Sequence, residues 1–423
     1  MFNGLSLDQA PPLSVVIRFF ITVPVFGILL SLIIFFNPHE VLIPTHPISL
    51  ASIHLMFLGV ITMSMFGALF QMQSVLGGRP IPSALGNAFL IHLFLVIGIL
   101  SLCGAFIFST PELFIIASIF LGASILYCAN LILPLLFGGI SHDTLRGMRL
   151  ALIALALTAV LGIVMASEYA NSSFSSVHEA VRTSHYSFGL IGWIAALIIA
   201  VAFQVIEMFY VTTPYSLWCK RNAFRIIAAS LLLKVLWIFT HLPYSWIFDL
   251  IMGALLFGFI FTTLKRLNQR KRRVSDVSIW FWQSGMALLS LAILTYGAFI
   301  GSGYDALQSV ALIAFALFAL AVILGMMGKI VPFLVWFHLS SAGYMDTPIM
   351  SNIIPATRAK GVFALFAITS VTMIGGVFCL ESLLVGAIVG GGMFGLLLLN
   401  LIHALRLYRD TLIHGKRFEQ STF

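Results

Sequence analysis

The chain has 423 residues, 61% of them hydrophobic and only 9% charged, with a mean hydropathy of +1.09. A soluble domain carries about 25% charged residues, so a soluble globule is excluded, and no polar block is large enough to fold outside a membrane. The formal net charge of +8 reads as membrane topology, with the lipid bilayer as the surrounding partner and no nucleic acid expected.

Apolar stretches long enough to cross a bilayer, about 20 residues each, recur from end to end. They predict an all-α polytopic membrane protein, a single domain over 1–423 with about twelve transmembrane helices. The spans fall near 13–36, 47–72, 84–108, 112–137, 147–167, 184–211, 224–242, 246–265, 278–300, 306–334, 361–380 and 382–406, with Pro, Gly or charge between most neighbours. The first span follows no pattern of a short apolar core and a small-residue cleavage site, so it reads as an anchor.

Span 2 is preceded by His46, carries His54 one or two turns in, and ends in "GALFQMQSV". The Ser-rich stretch 168–183 reads as an outer loop lying over the mouth of whatever the helices enclose. Span 6 opens near His185 and ends in "AVAFQVIEMF". Span 7 places Lys234 near mid-bilayer, where a lone ammonium costs at least about 2.5–3.5 kcal/mol, and His241 seven residues later on the same helix face. Asp249 on span 8 is the nearest acid in sequence to serve as its partner. Span 10 ends in "GMMGKIVPFLVWFHL", and the stretch 335–360 after it is too polar to span.

An even number of spans puts both termini on one side, and the positive-inside rule makes that side the cytoplasm. One face then collects Arg79, Arg146, Arg149, Lys220, Arg221, Arg225, the cluster "KRLNQRKRR" at 265–273, Arg358, Lys360 and the basic tail, while the other keeps Arg182 alone among acids. The expected location is a bacterial inner membrane with cytoplasmic termini.

On this topology His39, His46, His54, His178, His185 and His241 lie toward the outer face, and His142, His338, His403 and His414 at the inner edge. An interfacial histidine is usually an amphipathic side chain with its ring in water. His54 and His185 stand apart, because both helices run inward and the two rings lie at comparable depth. Each has glycines downstream, Gly59 and Gly67 or Gly189 and Gly192, which reads as room for a flat ligand. Neutral imidazole is the commonest metal ligand and the usual axial ligand of haem. The other reading is hydrogen bonding to neighbouring helices.

The four cysteines form no disulfide or metal pattern. The methionines of span 2 (Met56, Met63, Met65, Met72) read as packing. There is no phosphate loop, nucleophile elbow or zinc spacing.

Aligning the inner ends of spans 2, 6 and 10 puts Gln71, Gln204 and Lys329 at equivalent places, so the chain divides into three units of four helices. With twelve spans, a threefold plan and histidines near the outer ends of helices 2, 6 and 7, it resembles subunit I of the haem–copper oxidases. The closer likeness is to oxidase-like relatives that include the NnrS-type haem proteins. The phrases "HLMFLGVITMSMFGALFQM", "GLIGWIAALIIAVAFQVIEMF" and "GKIVPFLVWFHL" carry it. The likeness covers most of the chain as architecture and these segments alone as motif. It implies a pseudo-threefold bundle in which His54 matches the helix-2 haem ligand, His185 the helix-6 histidine and His241 one helix-7 histidine, so that His54 with His185 or His241 would hold the group; His46 is a separate candidate metal ligand. The departures are that no His-His pair occurs, span 10 lacks an outer-half histidine, and Gly189 stands four residues after His185 where the family has Tyr.

The resemblance therefore implies haem b, or copper, held near the outer face without oxygen-reductase turnover, serving nitric oxide response or haem and copper handling. Respiratory-chain or assembly proteins would be the partners. Two other readings stay open: a twelve-helix secondary transporter built on Lys234, and a structural membrane subunit.

Overall fold

The computed structural model describes residues 9–137, 143–271 and 276–418. His142 and the last two arginines of the basic cluster, Arg272 and Arg273, lie outside the described residues. Among the described residues twelve helices are long and apolar enough to cross a membrane. In chain order they are α1 (Leu13–Phe36), α2 (Pro47–Gly77), α3 (Ala84–Phe108), α4 (Pro111–Phe137), α5 (Asp143–Asn171) and α6 (His178–Phe209). The second half comprises α7 (Leu217–Phe239), α8 (Trp246–Asn268), α9 (Val277–Ser302), α10 (Asp305–Ser341), α11 (Ala356–Gly375) and α12 (Leu380–His414). No strand occurs among them. A single bridge pairs Tyr344 with Arg417 and ties the residues after α12 to the turn after α10.

Burial sorts these helices into two kinds. In their most apolar windows α2, α6 and α10 are 67%, 72% and 89% buried, while the other nine range from 22% to 50%. A helix apolar all round and enclosed by its neighbours is an interior helix, so these three form the centre and the rest a ring facing lipid. The central helices are four apart in sequence, the spacing that the repeated inner ends imply. They meet directly: Phe66 of α2 packs edge-on against Trp193 of α6 at 6.0 Å, and Phe57 of α2 lies 6.5 Å from Phe315 of α10.

Small residues let the helices close on one another, as in other membrane bundles. A Cβ added to Gly192 of α6 would stand 2.5 Å from the Cβ of Ala154 on α5, and one on Gly147 of α5 would stand 2.5 Å from that of Ala200 on α6. Helix starts follow ordinary capping chemistry. The ring of His46 accepts from the Ile48 N–H at 3.2 Å with Pro47 in the first turn of α2, and Asp276 accepts from the Ser278 N–H at 3.0 Å to open α9.

Three boundaries differ from the sequence expectation. The Ser-rich stretch is no loop over a mouth: α5 runs to Asn171 and α6 starts at His178, leaving a short turn. That turn is pinned by Glu168, which accepts from Ser175 at 2.5 Å and pairs with His178 at 2.5 Å. Helix α10 does not stop at 334 but continues past Pro332 to Ser341, because Leu334, Val335 and Leu339 keep an apolar face against the core. Helix α7 ends at Phe239, so His241 lies beyond it.

Candidate metal site between two histidines

His54 closes the first α-helical segment of α2, and the eight residues after it, Leu55–Thr62, form a π-helical segment. His185 stands three residues ahead of a second such segment in α6, Phe188–Ala195. In a π-turn the backbone bond steps five residues instead of four, which widens the helix and re-aims side chains; such turns concentrate at functional sites. The two segments are tied to each other, as the Trp193 indole N–H of one donates to Thr62 Oγ1 of the other at 3.0 Å.

The two rings lie with centroids 6.3 Å apart and planes inclined by 41°. His54 Nδ1 lies 2.7 Å from the Leu50 carbonyl, and His185 Nδ1 lies 3.0 Å from the Thr158 carbonyl on α5. A carbonyl only accepts, so each ring carries its proton on Nδ1 and exposes a lone pair on Nε2. This is the arrangement in which metal-ligating histidines are held, the far N–H fixed by an outer partner. Neither Nε2 has a hydrogen-bond partner among the described residues. A nitrogen–metal–nitrogen bridge with bonds of about 2.0–2.1 Å places two ring centroids roughly 6 Å apart. Phe106 stacks on His54 at 5.6 Å, and Gly162 of α5 lies so close to His185 that a Cβ there would stand 3.1 Å from Cε1. Both rings are thus oriented by packing as well as by hydrogen bonds.

The glycines expected to make room for a flat ligand do something else. A Cβ on Gly59 would meet Phe26 of α1 at 3.0 Å, on Gly67 Phe20 of α1 at 2.8 Å, and on Gly189 Thr158 at 3.3 Å. Together with Gly192 against Ala154, all four faces are filled by neighbouring helices. The donor pair fits a metal, whereas these glycine faces offer no cradle for a macrocycle.

His241 is not brought to this pair. It sits exposed in the turn after α7 with φ +54°, a left-handed conformation that a helix cannot contain. For the same reason it shares no helix face with Lys234. His46 uses its Nδ1 to cap α2. Among the described residues no group of three or more His, Cys, Asp or Glu forms a metal-binding cluster, so any centre here rests on His54 and His185.

Lys234 is 5% exposed and donates to Asp249 Oδ1 at 2.6 Å, the partner that sequence proximity points to. Its ammonium also stands 5.9 Å from the ring centroid of Tyr186, the residue next to His185. At the opposite, basic end the three aligned residues are not brought together by any hydrogen bond. Lys329 pairs with Asp276 and lies 5.9 Å from the Tyr210 ring, and the Tyr210 hydroxyl is 2.7 Å from Ser278 Oγ. Burial raises the Asp276 carboxyl, yet hydrogen bonds from Lys329 and Ser278 hold it below its ordinary range. Gln71 is buried with its Oε1 unpaired, and Gln204 is half-buried. Glu207, on the turn beyond Gln204, pairs with Lys220 at 2.7 Å and accepts from the Tyr215 N–H at 2.8 Å.

Sequence reasoning missed the Trp193–Thr62 bond and both π-turns. Neither follows from residue type or spacing, because each depends on which faces of α2 and α6 meet. No protein-family model matches the sequence, and no curated protein matches it either.

Proposed function

We propose that this chain is a metal-binding protein of the bacterial inner membrane, laid out like the haem–copper oxidase subunit I relatives, in which His54 and His185 jointly hold one metal centre. The observation that carries the reading is the pair itself: two rings with centroids 6.3 Å apart, each with Nδ1 held by a backbone carbonyl so that Nε2 is left to bind a ligand. The donor pair suits a copper ion and the iron of a haem b alike. The filled glycine faces favour copper, with haem b as the second reading. A metal held there would supply one-electron chemistry or a holding site for transfer, with the carbonyls of Leu50 and Thr158 orienting the two rings. Copper handling for respiratory assembly and nitric oxide response are the roles this supports, without oxygen-reductase turnover. The charge asymmetry of the loops supports cytoplasmic termini and puts the histidine pair near the outer face.

A second reading is a secondary transporter, favoured by the buried Lys234–Asp249 pair at 2.6 Å. Metal analysis and absorption spectra of detergent-purified protein, air-oxidised and then dithionite-reduced, separate the readings. One equivalent of nitrogen-ligated copper, lost in His54→Ala and His185→Ala, supports the copper centre. A Soret band with sharp reduced bands, lost in the same variants, makes it haem b. Neither metal in protein from haem- and copper-replete cells defeats both and leaves the transporter.

A further inference from the structure

Beyond the Trp193–Thr62 bond, away from the histidines, the central helices enclose a second space. It is a partly open cavity of about 80 Å³ where α2, α6 and α10 converge, flanked by α1, α5 and α9. Met65 and Met72 of α2, Met148 of α5 and Met326 and Met327 of α10 line it. Methionine makes up 5 of the 16 residues of this wall but 16 of the 423 in the chain, so it is concentrated where the helices meet. The wall holds no carboxylate, lysine, arginine or histidine, and Ser64 supplies its one hydroxyl. Four of the methionines are deeply buried: Met148 at 0%, Met327 at 2%, Met65 at 5% and Met326 at 7% exposure.

We propose that this cavity binds a soft monovalent metal ion, Cu(I), through methionine thioethers. Neutral, polarisable sulfur selects Cu(I) over hard cations. A hard divalent ion would have to exchange its water for oxygen ligands, and this wall offers a single hydroxyl. Methionine is also the side chain that fills irregular gaps in cores, but gap-filling side chains would have closed this space, and five of them surround it. The site is separate from the histidine pair: Met65 is eleven residues from His54, about 16 Å along the helix at 1.5 Å per residue. It depends on no ligand of that pair, and no redox step is required, because the ion binds and leaves as Cu(I).

The test uses the full chain in detergent with both His54→Ala and His185→Ala in place, so that the histidine pair contributes nothing. Anaerobic Cu(I) is titrated against the chromophoric chelator bicinchoninate, with Ag(I) as a redox-inert second probe. The expected result is one bound equivalent, sulfur-only ligation by X-ray absorption, and affinity weakened at least about tenfold by Met65→Leu with Met326→Leu. These substitutions remove sulfur while nearly keeping volume. Should that pair fail to fold, Met148→Leu with Met327→Leu asks the same question from α5 and the neighbouring position of α10. Cu(I) affinity unmoved by either pair, nitrogen in the ligand shell, or no binding in the double-histidine variant would overturn the proposal. Xenon occupying the cavity while Cu(I) and Ag(I) are ignored would overturn it too, leaving a plain apolar void.

Discussion

Charged groups are paired at both ends of the bundle, but among the described residues only one end brings two imidazole rings together. At the basic end the charged groups satisfy each other: Lys329 with Asp276, Lys220 with Glu207, and Tyr210 with Ser278. At the histidine end His54 and His185 turn their Nδ1 nitrogens to backbone carbonyls, with the two ring centroids 6.3 Å apart. Buried atoms without a partner occur at the basic end too, at Gln71 Oε1, Gln73 Nε2 and His338 Nε2, so what marks the histidine end is the close approach of two rings that each commit Nδ1 to a carbonyl. Number of polar residues would not have separated the two ends; the meeting of the two rings does.

The sharpest way to break this contrast is at the metal. His54→Ala or His185→Ala is expected to abolish the nitrogen-ligated copper centre, while His241→Ala, His46→Ala and Gln204→Leu leave it unchanged, as read by the Cu(II) paramagnetic resonance signal after aerobic equilibrium dialysis. A loss equal across all five would dissolve the distinction between the ends.

Next in size is the buried ion pair. Lys234→Met strands the Asp249 carboxylate and is expected to lower stability by about 3–5 kcal/mol, whereas Lys234→Met together with Asp249→Leu recovers most of that loss. Denaturant titrations of the three variants check it. Recovery also weighs against the transporter reading if uptake-independent folding is all the pair provides.

Gly192→Leu forces a side chain where Ala154 Cβ already stands 2.5 Å from the position of a Cβ. Overpacking of about 1–3 kcal/mol or more is expected, with the α5–α6 seam displaced and the His185 Nδ1 bond to Thr158 disturbed. Reduced thermal stability accompanied by weaker metal binding would tie the seam to the site. The same loss of stability with metal binding intact would confine the glycine to packing.

The smallest effect is at the basic end. Asp276 has a folded-state pKa depressed below its ordinary 3.8. Its contribution is therefore fully present above that value and disappears as pH falls through the lower, folded one. Asp276→Asn should cost about 1–3 kcal/mol at neutral pH and shrink toward zero in acid, with copper content unaffected at pH 7. A cost that stays constant down to pH 3 would detach it from the carboxylate charge.

Much of the architecture was legible in the sequence, because a twenty-residue apolar stretch has few other fates. The equivalence of α2, α6 and α10, though not their central burial, was legible too, through the repeated endings "GALFQ", "AVAFQ" and "GMMGK". So was Asp249 as the partner of Lys234, since a short turn joins their helices. Hydropathy could not place polar helical turns: His178 to Arg182 continue α6, held in part by the Glu179–Arg182 pair at 2.7 Å, in a stretch that reads as loop. His241 was misjudged for the converse reason, as α7 stops two residues short of it. Glycine was the least legible. Gly59 and Gly189 show that space is missing beside them only once Phe26 and Thr158 are seen to fill it, and those residues come from other helices.

The coupled π-turns carry a consequence for editing the chain. Each turn lets its helix hold one more residue than a regular spiral of the same rise, so a single deletion within Leu55–Thr62 would let α2 rewind and swing His54 by about a quarter turn relative to everything inward of it. Because the Trp193–Thr62 bond clasps one turn to the other, the two lengths are matched. A deletion in one helix leaves its imidazole aimed past its mate, and a second deletion within Phe188–Ala195 swings the mate without restoring the original axis. The pair is set by residue count as firmly as by residue type, and a full complement of histidines does not survive a frame-preserving loss of one neighbour.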